Sequence, residues 1–277
     1  MPPARLIVNA DDLGNGAATD RGIFAAFARG VVTSASLLTT GPTWREAAQH
    51  AAAEGLPLGI HLNLSEGTAL SGPIPGLTDD SGRFLGKTAA RRSFETGHIE
   101  TSTLTREFLA QIDRACTVGV TPDHLDTHQH CALFTPVAEA FCTAAQTCGI
   151  RRARLPLPLD QNDDAPLELS GELALYRQRA PSLTKTLHKA DIITPQGLYG
   201  MSLLNQLNET QLLALLTQLQ PGDWELMVHP GYRDLTHPFA TLARETELAA
   251  LSAPTVAALV RARGIELISF GDLQCAC

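Results

Sequence analysis

Short apolar β-type runs alternate with helical patterns along nearly the whole chain, and this alternation restricts the fold more than any other feature. RLIVNA (5–10) is followed by TDRGIFAAFARG (19–30), where Thr19 is placed to cap a helix and Gly30 to end it. SASLLT, a helix over roughly residues 44–53 and LGIHLNL come next. A helix near 104–117 precedes DHLDTH, Pro136 stands at the first turn of another helix, and the run RARLP follows. Asn208 opens NETQLLALLTQL with Gln211 at capping-box spacing. WELMVH, helical stretches at 240–251 and after Pro254, and IELISF complete the series. Such a pattern favours a parallel sheet covered by helices. Seven or so strands in 277 residues favour a single-domain, TIM-barrel-like (β/α) barrel over an open doubly wound sheet.

Two segments break the rhythm. Residues 65–97, reaching to about 100, and residues 156–171 are rich in Gly, Pro, Ser and Thr or lack a periodic pattern. Stretches of that size without structure of their own serve as functional loops, and here they read as insertions walling a cleft. A net charge of −8, with both signs interspersed, speaks against nucleic-acid and anionic-membrane partners. No run of eighteen apolar residues is present, so no membrane span is expected. The start, MPPARLIVNADD, lacks a signal-peptide layout, and six cysteines without a CxxC pair read as the reduced thiols of a cytoplasmic protein. Cys275 and Cys277 read as part of a frayed tail. The first βα turn, ADDLGNG, lacks the spacing of a dinucleotide fingerprint.

Four apolar runs end in groups able to do chemistry. LIVNADD ends in Asp11 and Asp12, LGIHLNL carries His61 and Asn63, and WELMVH ends in His229. HLDTHQH packs His124, Asp126, His128 and His130 into one run; if it is extended, these four share one face. Each alone suits a plainer role, as a helix cap, a hydrogen-bonded core histidine or a turn residue. Placed together at the strand ends of a parallel barrel, where active sites sit, they point to a metal-centred site. Two histidines and a carboxylate leave coordination positions open, as a catalytic metal requires. A second carboxylate can take a proton from water, and a further histidine can protonate a leaving group.

NADDLG, GIHLNLSEG, HLDTHQH and HPG, in this order and spacing, resemble the YdjC-like carbohydrate deacetylases, a family that includes chitooligosaccharide deacetylases and hopanoid-associated relatives. The similarity runs from the first strand to RETELAALSAPTVAALVRARGIELISF. It implies a distorted (β/α) barrel that removes N-acetyl groups from amino sugars with one divalent metal ion. Asp12, His61 and His128 would be the ligands, Asp11 the general base and His229 the general acid. Asp126 would orient a ligand histidine, while Asn63 and His130 would brace or line the site; His124 receives no role. The chain differs from the family at Leu13, where Phe is usual, and at Ala132, where a further histidine is usual.

The expected substrate is a short N-acetylated oligosaccharide or a glycosylated small molecule, because aromatic residues are only 5% of the chain and cannot build a long stacking platform. A metal-dependent hydrolase of a phosphoester or cyclic amide is the alternative, and a sugar-binding protein on the same fold a third reading. Magnesium is the metal the resemblance implies, whereas two imidazoles and a carboxylate suit zinc better on ligand softness. A homodimer is the default assembly.

Overall fold

The computed structural model describes residues 3–97, 99–160 and 166–274. Its frame is seven strands: β1 (Ala4–Leu13), β2 (Ser34–Leu37), β3 (Leu58–Leu62), β4 (Leu125–Thr127), β5 (Leu198–Tyr199), β6 (Gly222–Val228) and β7 (Glu266–Ile268). Every pairing between them is parallel, in the order β4-β3-β2-β1-β6-β5. β1 is the longest and works as the spine. β6 follows one of its edges from Ala4↔Gly222 to Ala10↔Val228. The other edge is divided: β7 pairs with Arg5–Ile7 and β2 with Asn9–Leu13.

The sheet curls into a half-barrel, and isolated bridges at Leu125↔Ala153 and Pro158↔Leu198 link β4 to β5 through residues 152–158. The run RARLP therefore occupies a strand position without forming a ladder. Pro156 and Pro158 lack the N–H that a ladder needs, which explains the break. The result is the expected distorted (β/α) barrel in a single α/β domain.

Nine helices are present among the described residues: α1 (Ala17–Arg29), α2 (Trp44–Glu54), α3 (Lys87–Thr96), α4 (Thr101–Cys116), α5 (Thr135–Cys148), α6 (Leu167–Lys189), α7 (Glu209–Gln218), α8 (Leu242–Leu251) and α9 (Pro254–Arg263). Asn208 and Gln211 form the expected reciprocal cap of α7, and Pro136 lies in the first turn of α5. Thr19 is no cap, because α1 already begins at Ala17 behind Gly16; Gly30 does end it. None of the nine is long and apolar enough to cross a membrane.

Both segments read as loops contain helix. α3 lies within residues 65–97, and α6 starts at Leu167 and runs for 23 residues. Gly171 and Pro181 masked α6, since each weakens a helix interior. Its buried stripe of Leu173, Tyr176, Ala180, Leu183 and Leu187 recurs at helical spacing and is the signal that outweighs them.

Most of the apolar core lies between the sheet and the helices, around residues such as Leu6, Val8, Ala10, Ile60 and Leu62. Alternation along β1 turns Ile7, Asn9 and Asp11 to the opposite face, inside the barrel. There Ile7 joins Ile268, Phe270 and Leu273 in a small apolar plug. Above the plug the interior is polar.

Candidate active site

Asp11 and Asp12 would point to opposite faces of a regular strand. Asp12 takes a left-handed φ of +67°, and the β1–β2 register slips between Ala10 and Leu13. Aspartate tolerates this conformation better than most residues, and its effect is to bring both carboxylates to the barrel mouth. Asp20 fixes the turn by accepting from Gly14 N at 2.6 Å and from the Thr43 hydroxyl at 2.5 Å.

His61 sits in β3 opposite Asp126 of β4. HLDTHQH is not one extended run, however. β4 ends at Thr127, a 3₁₀ turn covers His128–Leu133, and Gln129 and His130 are left-handed with φ +54° and +56°. The alternation expected for His124, Asp126, His128 and His130 thus holds only through the strand. The turn, rather than strand geometry, swings His128 over the site.

Asp12, His61 and His128 converge. Asp12 Oδ1 lies 3.2 Å from His128 Nδ1 and 3.5 Å from His61 Nε2, and the two ring nitrogens are 3.2 Å apart. Ligands about 2.1 Å from one ion stand roughly 3.0–3.4 Å from each other between octahedral and tetrahedral geometry. Asp12 Oδ1 is buried and makes no aligned hydrogen bond, which fits a cation-binding atom. Asp11, His61 and Asp126 also cluster closely enough to hold an ion. Arg154 decides against that second set, because its guanidinium already occupies both aspartates.

Arg154 is a site residue that sequence reasoning missed. Fully buried, it donates to Asp11 at 2.6 and 2.7 Å, and its nitrogens lie 2.8 Å from Asp126 Oδ2 and 2.7 Å from Glu225 Oε1. Burial raises the Asp11 pKa, but Arg154 and the neighbouring histidines outweigh it and hold Asp11 far below the usual carboxylate range. Burial, against the pull of Arg154, pushes Glu225 up to about 7. RARLP gave no hint of this role because a lone arginine beside leucine and proline has no chemical pattern.

Asp126 Oδ2 is 2.9 Å from His61 Nδ1, so that ring presents Nε2 to Asp12. Burial would lower the pKa of both histidines, but carboxylates reverse it: Asp126 and Asp11 raise His61, while Asp12 and Glu66 raise His128 to about 10. Glu66, part of GIHLNLSEG but given no role in the sequence reading, stands 3.4 Å from His128 Nε2 and accepts from Gln129 at 2.9 Å. Asn63 does not face the cavity. Its side chain accepts from Ser65 N and Glu66 N and donates to Thr40 and Glu66 O, which pins the loop carrying Glu66.

His229 Nε2 lies 4.0 Å from Asp11 Oδ2, and burial lowers its pKa to about 4. Its HPG turn is pressed onto α1: a Cβ on Gly22 would stand 2.3 Å from Gly231 Cα. Glu247 accepts from His229 N at 2.8 Å. His130 is buried at the cavity edge, against Tyr176. The whole opens into a cavity of about 230 Å³. α3 and α6 form one wall, joined where Glu172 meets Lys87 at 2.5 Å and Arg91 at 3.1 Å. Cys275 and Cys277 lie outside the described residues.

A parallel α/β barrel with an Asp-His-His cluster at its strand ends, able to hold a metal ion, has its ionisable groups where the active sites of such barrels sit. The model of the family described as YdjC-like protein matches residues 5–262, and the chain belongs to that family. It is 32% identical to a carbohydrate deacetylase of Mus musculus, over 99% of this chain and 96% of that one. It is 34% identical to a chitooligosaccharide deacetylase of Serratia marcescens, over 97% and 98% of the two chains. The crystal structure of a protein of Enterococcus faecalis V583 assigned to cellobiose-phosphate cleavage superposes with a TM-score of 0.75, at 25% identity and over 99% of this chain and 100% of that chain.

Proposed function

We propose that this YdjC-like protein is a divalent-metal-dependent deacetylase that hydrolyses the N-acetyl group of an amino sugar, in a short oligosaccharide or a glycosylated small molecule. It is a hydrolase of a non-peptide C–N bond, the class that its relatives' names share. The observation that carries the metal-dependent reading is the convergence of Asp12, His61 and His128 beside an Arg154-held Asp11. A cation held by these three ligands would polarise the acetamide carbonyl and raise the acidity of water.

The chain's own groups supply the proton chemistry. Arg154 keeps Asp11 ionised across the working pH range, so the base is always available. Asp11 Oδ2 takes a proton from the attacking water as the carbonyl carbon becomes tetrahedral. His229 is neutral before the reaction, since burial holds its pKa near 4. It relays the proton from Asp11, 4.0 Å away, to the nitrogen as the C–N bond breaks. The second proton of the water passes from the new carboxyl group to the amine, so the products are acetate and the ammonium form of the sugar. A retaining or inverting glycosidase would need two carboxylates and no histidine cluster.

At about 230 Å³ the cavity lies below the usual range of roughly 300–1,000 Å³ for ligand pockets, which suits one sugar unit better than an extended polymer. Leu169, Leu173, Met201 and Phe239 give it an apolar side, and Glu66, Gln129, Lys87 and Glu172 a polar one for hydroxyl groups. Incubating metal-loaded protein with N,N′-diacetylchitobiose and a panel of N-acetylated amino sugars should release acetate from at least one. Acetate from none, with phosphate released from a phosphoester or ring opening of a cyclic amide, would favour the alternative hydrolase.

A further inference from the structure

The first histidine of HLDTHQH has no part in the chemistry above. His124 is fully buried just before β4, with its ring flat on Phe270 at a centroid distance of 3.7 Å. It has room only because residue 59 is glycine: a Cβ there would stand 2.3 Å from the ring. Its Nδ1 is 2.6 Å from Asp123 Oδ1, and its Nε2 is 3.2 Å from Ser36 Oγ. Ser36 Oγ accepts from Asn9 Nδ2 at 2.8 Å, and the same amide donates to Asp11 Oδ1 at 2.9 Å.

These links have one direction. An amide nitrogen only donates, so the Ser36 oxygen accepts from Asn9; a carboxylate only accepts, so the neutral His124 ring turns its N–H to Asp123 and takes the Ser36 hydroxyl proton at Nε2. With the ring proton on Nδ1 facing Asp123, Nε2 is the bare acceptor of this chain. The chain of contacts crosses the barrel from Asp123, whose side chain is 21% exposed, to the carboxylate at the mouth. At Asp11 it meets Oδ1; Arg154 holds both carboxylate oxygens, Oδ1 at 2.6 Å and Oδ2 at 2.7 Å, and Oδ2 is the one that also faces His61 and His229.

We infer that His124 is a positioning residue for Asp11, acting through Ser36 and Asn9 to anchor Oδ1 and keep Oδ2 turned toward the cavity. This rests on the reading of Asp11 as the base. Ser36→Ala should lower kcat by about 3- to 10-fold, the weight of one neutral hydrogen bond, with KM and bound metal unchanged. His124→Leu should do the same, and His124→Gln, whose side-chain amide restores an acceptor for Ser36, should recover part of the loss. In an Asp11→Asn background Ser36→Ala should cost nothing more. An equal loss in both backgrounds, or a lower thermal midpoint with kcat intact, would overturn the inference. Nitrogen-15 NMR of histidine-labelled protein, with His124→Gln for assignment, should show the Nδ1–H tautomer; Nε2–H would overturn it as well. The tautomer is read without substrate. Wild-type protein that released no acetate would therefore end the deacetylase reading, while the tautomer would still stand for or against the polar chain.

Discussion

The floor of the cavity and its α3–α6 wall are built on opposite plans. Asp11, Asp12, His61, Asp126 and Arg154 are buried, come from strand ends or the barrel-closing segment, and are tied to each other through the barrel interior. Lys87, Arg91 and Glu172 come from two helices outside the ring, are partly exposed and meet across a gap between insertions. Groups that must hold a fixed geometry sit where backbone ladders and desolvation forbid movement. Groups that touch variable parts of a substrate sit where a change costs the fold little. The floor should therefore govern whether the reaction occurs, and the wall which sugar enters.

The sharpest break of this contrast is in the ligand set. His61→Ala or His128→Ala should reduce metal content and bring acetate release to background, as should a chelator acting on the wild type; full metal occupancy in both variants by elemental analysis would remove the assignment. Asp11→Asn should keep the metal and lose about 10²–10⁴-fold in kcat, and near-normal turnover would mean that another group takes the proton. Arg154→Met leaves three buried carboxylates without their cation. It should cost about 3–5 kcal/mol in urea unfolding, and a loss below about 1 kcal/mol would show that the network is wetter than its burial implies.

A smaller effect links pH to the metal. Metal-free His128 is raised to about 10, and His61 is raised too. A histidine whose folded pKa exceeds its unfolded value of about 6.5 adds stability that is complete below that pH and is lost as pH rises toward the folded value. The thermal midpoint of metal-free protein should therefore fall between about pH 6.5 and 10. Metal-loaded protein, in which a cation takes the protons' place, should fall less. Parallel falls would place these histidines away from the ion. The least change is expected in the wall: Glu172→Ala should raise KM a few-fold, leave kcat within about two-fold and cost about 0–1 kcal/mol. A kcat loss as large as that of Asp11→Asn would erase the distinction between floor and wall.

What was legible in the sequence follows from what local pattern encodes. Buried parallel strands need continuous apolar runs and amphipathic helices need a stripe, so six of the seven strands and most helices could be read directly. The exception among the strands is β5, a two-residue strand too short to carry a pattern. Asp11, Asp12, His61, His128 and His229 stood out because ionisable groups at the ends of apolar runs are costly without a purpose. α6 was hidden by Gly171 and Pro181, whose local penalties are offset by packing that no window of sequence contains. Arg154 and Glu66 were hidden for a different reason. Each is an ordinary residue made functional by partners far along the chain, 143 positions away in the contact of Arg154 with Asp11. The sequence by itself determined the strand–helix order and the residue types available for catalysis, because periodicity and chemical type are local. Only the tertiary structure decided which carboxylate Arg154 claims, which oxygen of Asp11 faces the cavity and which histidine turns inward, because desolvation and hydrogen-bond pairing depend on neighbours that the closing barrel brings together.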